Sequence, residues 1–247
     1  MSEKPNVIAI FVAYNAASTL EDFYASFPKH LVDEIILVDD ASRDNTYEIA
    51  QRLGIHAYKN DHNLGYGGNM KRALRLALQN SADIIIDIHP DGEYKTSAIT
   101  PALQKVSEGA RLVLGNLFAK TLGSPLEHGM YRWKLLPITL LNYVAKFVLR
   151  APIDDFHQGF RVYTKDLLQK VNFEANENNY LFSFEIISQA VYHRMLIEQV
   201  PVETLYSGKK RGASLRHSIQ YSLGVLKVLC FFLLAKTGLY RHSIFTA

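Results

Sequence analysis

The chain has 247 residues, 48% hydrophobic and 21% charged, with a net charge of +3. That fits one large globular domain, or a domain with appendages, able to bury a sizeable core, and it argues against a dedicated nucleic-acid binder. One cysteine, Cys230, excludes an internal disulfide framework and suits a reducing compartment; the start "MSEKPNVIAI" lacks a signal-peptide pattern, so a cytoplasmic location is expected.

The first half alternates short apolar runs with helical patterns. "NVIAIFVAY" reads as a buried strand, apolar on both faces, and "STLEDFYASF" as a helix with a capping box at Ser18 and Glu21. "DEIILVDD" is a second strand, followed by a helix that starts near Asp44 and ends before Gly54. "IHAYKN" is a short strand. "GYGGNMKRALRLALQN" opens as a glycine-rich turn and continues as a helix. "DIIIDI" and "ARLVLGN" read as strands around the helix "SAITPALQKVSEG". Strands alternating with helices predict parallel βαβ units and a doubly wound α/β sheet.

The second half changes character. "YRWKLLPITLLNYVAKFVLR" is apolar, "DDFHQGFRVYTKDLL" is mixed, "YLFSFEIISQAVYHRM" reads as a helix and "LIEQVPVE" as an edge strand. A basic loop, "SGKKRGASLRHS", leads into the most apolar part of the chain, "SIQYSLGVLKVLCFFLLAK". Its unbroken run, Val228 to Ala235, is too short to span a bilayer. As a helix it could lie in a membrane interface, bury an oligomer contact or pack on the domain.

In a doubly wound sheet, ligands bind at the carboxyl ends of the strands. Three predicted strands end there in polar residues: Tyr14 and Asn15, Asp39 and Asp40, and the group His89, Asp91 and Glu93. Asp39 can accept from a ribose or base. Asp40 can cap the turn, and Asp44 the next helix. Gly65, Gly67 and Gly68 either cradle an anion with exposed amides or form a flexible loop; Lys71 and Arg72 in the first helical turn hint at an external anion. If the chain stays extended, His89, Asp91 and Glu93 point the same way and could hold Mn²⁺ or Mg²⁺; the alternative is an ordinary Pro-Asp-Gly turn.

The ordered motifs "VAYNA", "VDDASRDNT", "NLGYGGNMKRAL", "IIIDIHPDGEY", "DDFHQGFR" and "VPVETLYSGKKRGAS" resemble inverting nucleotide-sugar glycosyltransferases with the Rossmann-like GT-A fold. The likeness is greatest to the family-two branch of dolichyl-phosphate mannose synthase and bacterial polyprenyl-phosphate glycosyltransferases, and covers roughly residues 5 to 216. It implies a GT-A domain over 1–215, with 216–247 as a C-terminal amphipathic helical segment. It implies that Tyr14, Asn15, Asp39, Asp40, Asn63, Gly65, Lys71, Arg161 and Arg211 bind a UDP- or GDP-linked sugar. His89, Asp91 and Glu93 would hold a divalent cation, and Asp155 and Asp91 would be catalytic, Asp155 serving as general base where the acceptor is a sugar hydroxyl. A polyprenyl phosphate acceptor would need no base.

This chain departs from the pattern. His89 replaces the first aspartate of Asp-x-Asp, Glu93 the following glutamine, Ala16 the usual glutamate after Tyr-Asn, and Ser214-Leu215 the late Ser-Lys. Imidazole suits Mn²⁺ better than Mg²⁺. A sugar-phosphate nucleotidyltransferase would want Arg or Lys in the first βα loop, which "VAYNAAST" lacks. A degenerate nucleotide-sugar-binding module without turnover stays open. A peripheral place on the inner membrane face and a homo-oligomer are compatible with the apolar segments.

Overall fold

The computed structural model describes residues 4–122, 132–204 and 215–246. The chain runs β1 (Val7–Ala13), α1 (Leu20–Ser26), β2 (Glu34–Asp39), α2 (Thr46–Arg52), β3 (His56–Lys59), α3 (Gly65–Gln79), β4 (Ile84–Asp87), α4 (Ile99–Ser107) and β5 (Leu112–Asn116). It continues through α5 (Arg132–Leu149), β6 (Arg161–Thr164), α6 (Lys165–Lys170), α7 (Leu181–Tyr192), β7 (Ile197–Pro201) and α8 (Leu215–Thr237). The strands form one sheet in the order β3-β2-β1-β4-β6-β5-β7. All pairs are parallel except those of β6, which is antiparallel to β4 and β5. This is the expected α/β sheet, with β7 at its edge.

The sequence of β1 explains why both faces are covered. Ile8, Ile10 and Val12 enter one core with α3, α5, α7 and α8; Ala9, Phe11 and Ala13 enter the other with α1, α2 and α4. Alternate residues of a strand face opposite ways, so a run apolar at every position needs helices on both sides. In the second core Phe11 meets Phe23 and Phe27 edge-on, with ring centroids 5.2 and 5.1 Å apart.

Four local expectations are corrected. Helix α1 starts at Leu20 with no side-chain cap; Thr19 Oγ1 donates instead to the Pro90 carbonyl at 2.7 Å, so the Ser18–Glu21 capping box does not form. Asp44 does precede α2, but spreads its carboxylate over Thr46 N and Ala17 N. Helix α3 takes in Gly65, Gly67 and Gly68 rather than following them. At the C-terminus α8 runs far beyond the unbroken apolar stretch. Among the described residues, His217–Thr237 is long and apolar enough to cross a membrane by length and composition, because Lys227 alone interrupts it before Lys236.

Candidate active site

The carboxyl ends of β1, β2 and β4 lie side by side, with Ala13 paired to Asp39 and Ile10 to Asp87. After β1 the backbone of Asn15 turns to φ 54°, a conformation that asparagine tolerates better than most side chains. Asn15 N donates to Ser42 Oγ, and Asn15 Oδ1 accepts from Arg43 N at 2.9 Å. Asp39 is fully buried and binds the amide and hydroxyl of Ser42. Burial pushes its carboxyl up, against the pull of Ser42 and of Lys59, whose Nζ is 3.9 Å away. Tyr14 stands half exposed beside it. These two strand ends are therefore one connected wall.

Asp40 accepts from Asn60 Nδ2 and Leu64 N, both at 2.7 Å. Asn60 also binds Asn69, which donates to the carbonyl of Val38. Asn63 donates to the Asp40 carbonyl and accepts from Gly65 N, so it shapes the entry to α3. Nothing in the sequence pattern distinguished Asn60 and Asn69, but two asparagines flanking a glycine motif are a signal worth reading.

The glycines do not offer their amides to an anion. Gly67 N and Gly68 N donate to Asn178 O at 2.8 and 3.3 Å, and a Cβ on Gly67 would lie 2.2 Å from Glu177 O. Lys71 Nζ is bound to Asn176 O and Asn178 Oδ1, and Arg72 to Lys59 O and Asn60. The expected external anion is thus replaced by the segment before α7, which latches onto the first turn of α3.

After β4 the chain does not stay extended. It turns at Pro90–Gly92, with Gly92 at φ +74° and Asp91 Oδ1 accepting from Glu93 N. Among the described residues, no three His, Cys, Asp or Glu side chains are placed to hold a metal, so His89, Asp91 and Glu93 do not form a three-residue ligand set. His89 sits between Tyr66 and Tyr94, with centroids 5.6 and 6.1 Å away. Its Nε2 lies 3.8 Å from Asp87 Oδ1, and both atoms are buried without a hydrogen-bond partner among the described residues. An orphaned imidazole nitrogen and carboxylate oxygen are donors that a divalent cation accepts, provided a diphosphate supplies the other ligands. On that test the residues fit a cation. Asp87 closes β4, and an aspartate at the end of an apolar run is its signal in the sequence.

Arg161 pairs with Asp87 across β6 and β4 and is also buried. Burial disfavours its charge, but Tyr163, Tyr66 and Asp87 more than offset that. Asp155 lies in the loop just before. Its carboxylate accepts from His157 N at 3.1 Å and Leu117 N at 3.2 Å, and burial pushes the group up. His157 Nδ1 meets Tyr221 Oη of α8 at 2.8 Å, and burial lowers its pKa to about 3, so the ring is neutral. Asn142 of α5 accepts from Phe156 N. Arg211 lies outside the described residues.

Residues 8–171 match the model of the glycosyl transferase family 2 domain. The chain belongs to that family. It is a nucleotide-sugar-dependent glycosyltransferase with the GT-A fold. A UDP-N-acetylglucosamine–dolichyl-phosphate N-acetylglucosaminyltransferase from Methanococcus voltae is 24% identical over 225 residues, 81% of this chain and 86% of that one. A polyprenol monophosphomannose synthase from Mycolicibacterium smegmatis is 23% identical, over 75% of this chain and 73% of that one. Among solved structures, glucosyl-3-phosphoglycerate synthase from Mycobacterium tuberculosis with Mn²⁺, UDP-glucose and phosphoglyceric acid superposes with a TM-score of 0.68. It is 19% identical, and the match covers 97% of this chain and 81% of that one.

Proposed function

We propose that this glycosyltransferase moves a sugar from a UDP- or GDP-sugar to a polyprenyl phosphate by a single inverting displacement. The observation that carries the acceptor assignment is the state of Asp155. Its carboxylate is buried and spent on two backbone amides, so it anchors the loop rather than standing free as a base. A sugar hydroxyl would need such a base; a phosphate oxygen is already ionised and needs none. The names of two relatives, one acting on dolichyl phosphate and one making polyprenol monophosphomannose, support the same choice.

In this reading Tyr14, Asn15 and Asp39 border the nucleoside, and Asp40 with Asn63 and Gly65 holds the α3 entry in place around it. His89, with Asp87 3.8 Å away, and Asp91 across the turn would hold the divalent cation, Mn²⁺ in preference to Mg²⁺; when bound, it would neutralise charge on the leaving nucleoside diphosphate. The solved neighbour with Mn²⁺ and UDP-glucose supports that choice. An acceptor phosphate oxygen attacks the anomeric carbon while the bond from that carbon to the donor phosphate oxygen breaks. Arg161 lends positive potential beneath the reacting groups, and Arg211 would add a phosphate contact. Residues 1–215 carry this chemistry, and 216–247 serve the lipid side, on the cytoplasmic face of a membrane.

The test combines calorimetry with transfer. UDP and GDP are each titrated with Mn²⁺ or a chelator, and the matching sugar nucleotides are then incubated with short-chain polyprenyl phosphate and with saccharide acceptors. A lipid-linked product whose anomeric configuration is opposite to the donor's is expected. Transfer only to saccharides would overturn the acceptor, and nucleotide binding with no transfer to anything would favour a binding module.

A further inference from the structure

Two helices leave apolar stripes uncovered. On α5 these are Leu136, Leu140, Tyr143 and Phe147, with Leu136 78% and Phe147 75% exposed. On α8 they are Ile219, Leu223, Leu226 and Leu233, each at least 43% exposed. Both sets follow the three- and four-residue spacing of a single helical face. The opposite faces, Leu141, Ala145 and Leu149 of α5 and Val225, Val228, Leu229 and Phe232 of α8, enter the same core cluster. The stripes therefore look outward on the same side of the domain. An exposed apolar surface of this kind marks an interaction site.

Charge identifies the occupant. Residues 132–150 contain Arg132, Lys134, Lys146 and Arg150 and no acid, and after Glu203 the chain carries seven Lys or Arg and no Asp or Glu. Lys146, Arg150, Lys227 and Lys236 are all exposed, although Lys146 is shared with Asp154. A second copy of this chain would set these positive charges against their own kind; an anionic bilayer would attract them. Burial decides the mode of contact. Although α8 is long enough to cross, Val225, Val228, Leu229 and Phe232 are almost fully buried in the core, and a spanning helix would have to abandon it.

We propose that α5 and α8 together form a face that lies in the plane of an anionic bilayer, apolar stripes inserted and basic side chains at the headgroups. The same helices hold the acceptor loop: Asn142 of α5 binds Phe156 N, and Tyr221 of α8 binds His157. Docking thus brings that loop to the surface from which a lipid-linked phosphate arrives, a consequence that rests on the proposed acceptor.

The experiment is sedimentation with vesicles of phosphatidylcholine alone or with phosphatidylglycerol, free of polyprenyl phosphate and sugar nucleotide. Wild type should pellet with the anionic vesicles and come off with salt. The double variants Leu140→Asp/Phe147→Asp and Leu223→Asp/Leu226→Asp should each partition at least about tenfold less, since apolar insertion and surface charge act together. Unchanged thermal midpoints and unchanged UDP or GDP binding would show that these variants are folded. Lys227→Glu, which leaves the stripes intact, should weaken anionic binding by a smaller factor. Equal neglect of both vesicle types by wild type would overturn the proposal. So would a wild-type dimer in light scattering that the same variants dissolve, or protein in native membranes that resists alkaline extraction. Vesicle binding without UDP or GDP binding would leave the docking face standing and remove the proposed donor instead.

Discussion

Gly67 has no room for a methyl group, since Glu177 O would lie 2.2 Å from its Cβ, whereas a Cβ at Gly54 would meet nothing within 4 Å. Gly67→Ala must therefore push the 176–179 segment away and break the Gly67 N–Asn178 O bond. We expect it to cost about 1–3 kcal/mol, as overpacking does. Urea denaturation of Gly67→Ala checks this; Gly67 lies inside α3, where Ala without a clash would stabilise the helix by about 0.5–1 kcal/mol, so a gain in stability would refute the close approach. The same segment donates Glu177 N to Glu185, at 2.7 Å. Burial raises the Glu185 pKa from 4.5 to about 7. Between those values the folded chain holds a proton that the unfolded chain has lost, so this group makes stability fall as pH rises through that window. Glu185→Gln should flatten the slope. Relative to the variant, wild type should lose up to about 3 kcal/mol between pH 5 and pH 8. Urea midpoints at both pH values read this directly, and parallel curves would refute it.

Elements with strong periodicity are legible in the sequence itself. Strands β1, β2 and β5 read as apolar runs and α7 as a long apolar helix, and each lies within a residue or a few of its expected bounds. Strand β6 is hard to read from the sequence: Val162, Tyr163 and Thr164 favour a strand, but four residues inside a mixed segment are too short to show a period, and pairing with β4, with Tyr163 Oη donating to Asp87, fixes the place. The glycine motif is ambiguous for a similar reason. Gly65, Gly67 and Gly68 signal close approach, but the sequence does not say whether a phosphate or Asn178 comes close. Legible motifs thus located the rim of the site, and long-range contacts decided what its groups do. Phe11 shows how far the strand reading carries energetically. It is fully buried at 0% exposure and packs edge-on against Phe23 and Phe27. Phe11→Ala should cost about 3–5 kcal/mol, the transfer term plus a cavity. Chemical denaturation measures it; a loss below 1 kcal/mol would mean that α1 collapses into the gap.

Taken as one body, the sheet has a nucleotide-facing rim at the ends of β1, β2 and β4 and an acceptor loop braced by α5 and α8. A ligand that bridges several elements stabilises the folded state as a whole, and only that state. UDP or GDP with Mn²⁺ at 100 times its dissociation constant would add about 2.7 kcal/mol. For a chain of this size, each kcal/mol moves the midpoint roughly 2–4 °C, so a rise of about 5–10 °C is expected. Asp91 should govern that rise without governing the resting midpoint, because among the described residues its carboxylate serves a local turn, accepting from Glu93 N. Asp91→Ala should melt like wild type when empty and lose most of the Mn²⁺-dependent shift. His89→Ala should lose it as well, since its orphaned Nε2, beside Asp87 Oδ1, is a donor that we assign to the cation. If instead nucleotide raises the midpoint equally with chelator present and in both variants, the diphosphate is held by protein cations alone. The replacement of aspartate by His89 would then mark the loss of the metal rather than a change in its preference.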